Sequence, residues 1–247
     1  MSTHSPARQP APRSGSAGWA AGPSEPLLAG TAVHVWRVDL TAVGDHVAGS
    51  LSAAERERAR GIAGEDARRR WSRARGALRE LLARYLRERP DAIALSAGRH
   101  GKPQLAGDGR CALSFNLAHS QQLALYAFAA AGSVGVDVEV VRAESPRAGG
   151  DRVALARRVF GELQARRLEA LQPAARELEF LRLWTRHEAE LKRRGTGIGA
   201  ASGADRAGGE AREEPWIVEL DVGARAVAAL AVERGSPAEL RLWEWPF

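Results

Sequence analysis

The sequence predicts a mixed α+β fold, and three observations carry that prediction. Short runs with β-strand patterning stand at 31–40, 112–117, 123–130, 134–141, 216–222, 225–232 and 240–245. Two long stretches, 65–89 and 175–194, repeat apolar residues at three- and four-residue steps, as amphipathic helices do. Strands lie beside a helix in both halves of the chain, without a convincing periodic repeat. At 247 residues the chain can bury a full core, as one large domain or two small ones.

Taken in order, residues 1 to about 30 are rich in Pro, Ala, Gly and Ser and read as a flexible N-terminal tail. The first strand, 31–40, puts Val33 and Val35 on one face and His34, Trp36 and Val38 on the other. Ser52-Ala53-Ala54-Glu55 is a capping box, which starts a short helix running to Gly61. The helix over 65–89 buries a stripe of Trp71, Ala74, Leu78, Leu81, Leu82 and Tyr85, and Pro90 stops it. Gly98 to Leu105 reads as a loop from its Gly and Pro content. The strands at 112–117 and 123–130 form a hairpin and leave His119 in the loop between them. Residues 142–150 are a linker, 151–171 hold one or two short helices ended by Pro173, and the last three strands follow a Gly- and Ala-rich loop at 200–215.

Composition narrows the class of function. A formal charge of +6 and a pI near 10.5 favour anionic partners. The basic residues are 34 arginines and two lysines, Lys102 and Lys192, so lysine has been almost emptied from the chain and the two survivors invite a reason. The lone Cys111 excludes an internal disulfide and suits a reducing cytoplasm. No apolar run approaches the roughly 20 residues of a membrane span, and the N-terminus lacks the apolar core of a secretory signal, so the expectation is a soluble cytoplasmic protein. Arg70, Arg73 and Arg75 give the first long helix a basic face, but no aromatic residues interleave there to stack bases, which argues against nucleic acid. Gly195-Thr196-Gly197-Ile198-Gly199 follows a helix instead of opening one, so it is neither a Rossmann nor a Walker loop. His187-Glu188 lacks the second histidine of a zinc protease.

The chemistry concentrates in Gly135-Val136-Asp137-Val138-Glu139. The period of two puts the Asp137 and Glu139 carboxylates on one strand face, about 7 Å apart. The plain reading is a half-exposed strand whose polar face is acidic. The functional reading is a site for a hard divalent cation with oxygen ligands, completed by a further carboxylate. On the helix at 175–194, Leu181, Trp184, Glu188 and Lys192 share one stripe. A glutamate and lysine four apart are often a surface ion pair. Here they continue the line of Leu181 and Trp184, so Glu188 is the candidate third ligand.

Four separated motifs then fall into a known order. Gly101-Lys102-Pro103, Phe115-Asn116-Leu117-Ala118-His119-Ser120, Gly135 to Glu139, and Trp184-Thr185-Arg186-His187-Glu188-Ala189 with Lys192 and Gly195 resemble the 4′-phosphopantetheinyl transferases of the Sfp type. The resemblance covers roughly residues 31 to 247. It implies a pseudo-twofold pair of α/β halves, an N-terminal one at 31–134 and a C-terminal one at 135–247, with the site in the cleft between them. It implies that Asp137, Glu139 and Glu188 hold Mg²⁺, that Lys102, His119 and Lys192 contact the phosphates of coenzyme A, and that Arg70 meets the 3′-phosphate. It further implies catalytic roles for His119, for Lys192 at the α-phosphate and for Glu188 as the base, directly or through a water it orients. The reaction would pass phosphopantetheine from coenzyme A to a serine of an apo acyl or peptidyl carrier protein, releasing 3′,5′-ADP, as in fatty-acid or natural-product biosynthesis. The family suggests a monomer, with no nucleic acid or membrane partner. Two positions depart from the family pattern: Ala118 where it usually has Ser, and His187 where it usually has Lys. They motivate the alternative of a degenerate coenzyme A or carrier-protein binder without turnover.

Overall fold

The computed structural model describes residues 18–98, 102–106, 113–141, 148–195, 214–233 and 235–245. Strands β1 (Ala20–Ala21) and β2 (Val33–Asp39) come first, then a 3-10 turn (Asp45–Ser50) and helices α1 (Ala53–Arg60) and α2 (Glu65–Leu86). Next are β3 (Leu95–Ala97), β4 (Pro103–Leu105), β5 (Ser114–Ser120), β6 (Leu123–Ala129) and β7 (Val134–Val140). Helices α3 (Ala148–Phe160), α4 (Glu162–Glu169) and α5 (Pro173–Arg194) lead to β8 (Trp216–Leu220), β9 (Ala226–Val232) and β10 (Leu240–Glu244). The mixed α+β class is thus what the chain adopts.

The strands form a five-stranded sheet in the order β1-β10-β2-β6-β5, a three-stranded sheet β7-β9-β8, and the small β3-β4 hairpin. The two larger sheets face each other. Val33, Val35, Leu125, Ala127 and Ala129 of the first pack on Val134, Val136, Val138, Leu230 and Val232 of the second. The other face of the first sheet, with Trp36, Val38, Tyr126 and Phe128, is covered by Ala74, Ala77, Leu78, Leu81 and Leu82 of α2. The other face of the second sheet is covered by α5. Strand β6 is therefore covered on both sides, which is why it reads as a near-continuous apolar run, LALYAFA. The last strand, β10, runs parallel to β2 inside the first sheet, so the chain's end returns across residue 134 to the sheet where it began.

Several sequence expectations need correction. Residues 18–30 were expected in a flexible tail, yet β1 pairs with β10 and the Trp19 indole donates to the Asp221 carbonyl, because the outer edge of β10 offers open backbone partners. Residues 1–17 lie outside the described residues. Part of the loop expected at 98–105 is strand: Pro103–Leu105 pairs with Leu95–Ala97, Pro103, lacking an N–H, opens the strand where none is needed, and residues 99–101 lie outside the described residues. Pro173 does not end a helix but begins α5 at its first turn, where a missing N–H costs nothing. His119 lies within β5, paired with Ala124, not in a loop. The capping box forms as read, with Ser52 Oγ accepting from the Glu55 N–H and Glu55 Oε2 accepting from the Ser52 N–H. Cys111 and most of the 142–150 linker and 200–215 loop lie outside the described residues. No helix among the described residues is long and apolar enough to cross a membrane.

Candidate active site

The site begins with how closely α5 lies on β7. A Cβ at Gly135 would stand 2.0 Å from the Ala189 carbonyl oxygen and 2.4 Å from the Arg193 nitrogen, so only glycine permits this crossing. Beside it, Ala189 packs on Ala229 and Ala231 of β9, small side chains that let helix and sheet approach closely. The strand's alternation then turns Val136 and Val138 into the space between the sheets and Asp137 and Glu139 toward α5. Helical spacing brings Glu188 and Lys192 to meet them.

Asp137 and Glu188 are both buried, at 5% and 6% exposure. Lys192 Nζ donates to Asp137 Oδ1 at 2.6 Å. Asp137 Oδ2 and Glu188 Oε1 are buried without a hydrogen-bond partner. Burial pushes the Glu188 carboxyl above its ordinary range, and the charges of Asp137 and Glu139 push it further against the pull of Lys192. Burial likewise raises Asp137, opposed by Lys192 and reinforced by Glu139. Glu139 is less buried; its Oε2 accepts from Ser120 Oγ at 2.9 Å. Three mutually repelling carboxylates, two of them with orphaned oxygens in the interior, cost free energy that a hard cation with oxygen ligands would recover. Among the described residues no three such side chains already stand as a finished metal cage, and Lys192 leans on Asp137 in its place.

The basic side of the site comes from three other elements. Lys102, at the start of β4's hairpin arm, donates from Nζ to the Lys192 carbonyl at 2.7 Å, in the last turn of α5. Burial, then the charges of Lys192 and Arg193, lower its pKa to about 8. His119 is held below its ordinary value, by desolvation first, then by Lys192 and Arg70, with Glu139 opposing. One imidazole on β5 therefore senses α5, the start of α2 and the acidic strand at once. Of the arginines on the basic face of α2, Arg73 is spent on Asp45 and the Leu40 carbonyl. Arg75 reaches Glu55 and covers Trp71, whereas no ion pair holds Arg70 among the described residues. The structure thus draws Arg70, Lys102, His119, Asp137, Glu139, Glu188 and Lys192 to one seam, where the edge strands β5 and β7 meet α5.

The two departures from the family pattern fall elsewhere. Ala118 is buried in the apolar cluster between the sheets. His187 stands edge-on to Phe160, with ring centroids 5.6 Å apart, and burial lowers its pKa. Asn116 and Ser120, quoted in the sequence motif around His119 but given no role there, accept hydrogen bonds from β7 across the seam; their even spacing, which puts both on one strand face, was the available signal. Next to Glu139 a cavity of about 190 Å³ is lined by Arg152, Glu177, Leu181 and Trp184. A larger one of about 300 Å³, between residues 25–28 and the end of α2, touches none of the acidic residues.

Comparison with known proteins bears on this seam. The sequence profile of the 4′-phosphopantetheinyl transferase superfamily matches residues 133–214, the stretch holding all three carboxylates and Lys192. The 4′-phosphopantetheinyl transferase HetI of Nostoc sp. is 35% identical over 185 residues, covering 73% of this chain and 76% of HetI. The chain belongs to the 4′-phosphopantetheinyl transferase superfamily. The transferase is also similar to two shorter-matched relatives named 4′-phosphopantetheinyl transferase AcpT. That of Escherichia coli is 37% identical over 128 residues, 52% of this chain and 58% of the relative. That of Salmonella typhimurium is 36% identical over 117 residues, 47% of this chain and 56% of the relative.

Proposed function

We propose that the transferase carries 4′-phosphopantetheine from coenzyme A to a serine of an apo acyl or peptidyl carrier protein, with Mg²⁺, and releases 3′,5′-ADP. The observation that carries this reading is the pair of orphaned oxygens on Asp137 and Glu188, beside both lysines of a chain that has almost none. Asp137, Glu139 and Glu188 would hold the metal. When bound, Mg²⁺ neutralises charge on the pyrophosphate and on the departing group.

The chain's own residues do the rest. Lys102, Lys192 and His119 bind and orient the phosphates, and Arg70 faces the 3′-phosphate of the leaving nucleotide. Glu188, directly or through a water it orients, takes the serine proton. The serine oxygen bonds to the β-phosphorus, the bond from that phosphorus to the bridging oxygen breaks, and the electron pair leaves with 3′,5′-ADP. Lys192, released from Asp137, steadies the α-phosphate as charge grows there. We read the halves 31–134 and 135–247 as a pseudo-twofold pair of the Sfp type, working as a cytoplasmic monomer with no nucleic-acid or membrane partner.

The test is intact-mass analysis of an apo carrier protein incubated with the chain, coenzyme A and Mg²⁺. The expected result is a gain of the phosphopantetheine mass that disappears with chelator and in Asp137→Ala. No gain across acyl and peptidyl carriers, with coenzyme A still bound, would instead identify a binder without turnover.

A further inference from the structure

Strand β7 is the edge of its sheet, so the N–H groups that point away from β9 need partners from elsewhere. Two side chains of β5 supply them. Asn116 Oδ1 accepts from the Val136 N–H at 2.9 Å, and Ser120 Oγ accepts from the Val140 N–H at 3.1 Å. Both residues stand on the face of β5 that carries Ala118, opposite in direction to His119. The resemblance between the two rungs ends there. Among the described residues Asn116 has no hydrogen bond to a carboxylate, whereas Ser120 Oγ lies 2.9 Å from Glu139 Oε2.

A hydroxyl has one proton and two acceptor positions. Because Ser120 Oγ already accepts from a backbone N–H that cannot turn away, its proton goes to Glu139. That fixes which Glu139 oxygen is engaged and leaves the other to serve the site. Asp137 is held by Lys192 and deep burial, and Glu188 by its place in α5, so Glu139, half-buried beside a cavity, is the carboxylate most in need of orientation. We propose that Ser120 is a positioning residue of the transferase, which aims Glu139 at the bound cation and ties that carboxylate to the strand carrying His119. This rests on the reading of Asp137, Glu139 and Glu188 as metal ligands. Removing such a partner of a ligating carboxylate typically weakens metal binding about 10–100-fold.

The test is Mn²⁺ binding to the full chain in the presence of coenzyme A, read from the free-ion signal in electron paramagnetic resonance. It compares wild type with Asp137→Ala, Ser120→Ala, Ser120→Thr and Asn116→Ala. The expected result is a roughly 10-fold loss of Mn²⁺ affinity in Ser120→Ala, recovery in Ser120→Thr, and wild-type affinity in Asn116→Ala despite a lowered Tm. Wild-type affinity in Ser120→Ala, or an equal loss in Asn116→Ala, would overturn the proposal, since Ser120 would then be a strand tie only. Wild-type binding no tighter than that of Asp137→Ala would sink the metal reading itself, a different outcome from either.

Discussion

The two 22-residue helices cover their sheets in opposite ways. Under α2 the contact is built from large side chains and every buried polar group among the described residues is answered. Tyr126 Oη donates to the Ala74 carbonyl, Trp36 Nε1 donates to Tyr85 Oη, and the almost fully buried Arg79 meets Glu55 and the Pro90 and Ile93 carbonyls. Under α5 the earlier turns pack through Phe180 and Leu181, but the later turns cross β7 and β9 at Gly135 and alanines, and that crossing leaves Asp137 Oδ2 and Glu188 Oε1 unanswered. The first region spends its polar groups on stability. The second holds them in reserve, which is the usual mark of a site whose missing partner is a ligand.

That contrast is broken most directly at Glu188. Replacing it with Gln removes one of three like charges from the interior while keeping the shape. Transferase activity should fall by at least about 100-fold, and Tm should hold or rise, because the ionised carboxylate was costly where it stood. Tyr126→Phe, in the first region, should do the reverse: activity near wild type, with stability lowered by about 1 kcal/mol for the lost hydrogen bond to the Ala74 carbonyl. Parallel losses of Tm in both variants would erase the distinction between the regions.

The next largest effect separates close approach from bulk. Gly135→Ala forces backbone from backbone, which should cost roughly 3 kcal/mol and carry Glu188 and Lys192 away from Asp137. Leu78→Ala, under α2, should cost a similar amount, about 2–5 kcal/mol, by leaving a cavity. Only the first should also raise KM for coenzyme A at temperatures where both variants are folded. Denaturant midpoints and steady-state kinetics measured together decide it; an unchanged KM in Gly135→Ala would mean that the helix crossing does not set the site.

The same contrast explains what the sequence made legible. Period-two and period-3.6 patterns reveal side chains that alternate between core and surface, so Val33, Val35, Trp36 and Leu78 were assigned to their faces correctly. Asp137 and Glu139 on one face, and Glu188 and Lys192 on one stripe, were legible for the same reason. Contacts across the seam were not, because they depend on which strand ends meet: the bonds from Asn116 and Ser120 to β7, and the return of β10 to β2, join residues far apart in the chain. The β3-β4 hairpin was missed because strands of three residues are too short for a period to show.

The smallest expected effect lies in the first region and sharpens its character as a satisfied core. His34 is 1% exposed, and its Nδ1 lies 2.9 Å from Tyr85 Oη. Since Tyr85 Oη already accepts from Trp36, the tyrosine proton is free for a neutral imidazole. Burial is the main cause that lowers the His34 pKa from 6.5 to about 4; Glu239 opposes it and Arg241 adds to it. The folded chain therefore keeps His34 neutral where the unfolded chain protonates it, and between those two values the unfolded state binds the extra proton. Stability from this residue is complete above pH 6.5 and is lost as pH falls toward 4. Allowing for screening, the loss by pH 5 should be on the order of 1 kcal/mol, or roughly 2–4 °C in Tm. An NMR titration should place the imidazole well below 6.5 in the folded protein, and His34→Gln should flatten the fall in Tm across this range. A His34 that titrates near its ordinary value would show that Trp36, Tyr85 and His34 are not a closed hydrogen-bonded chain, and that the first region carries loose polar groups of its own.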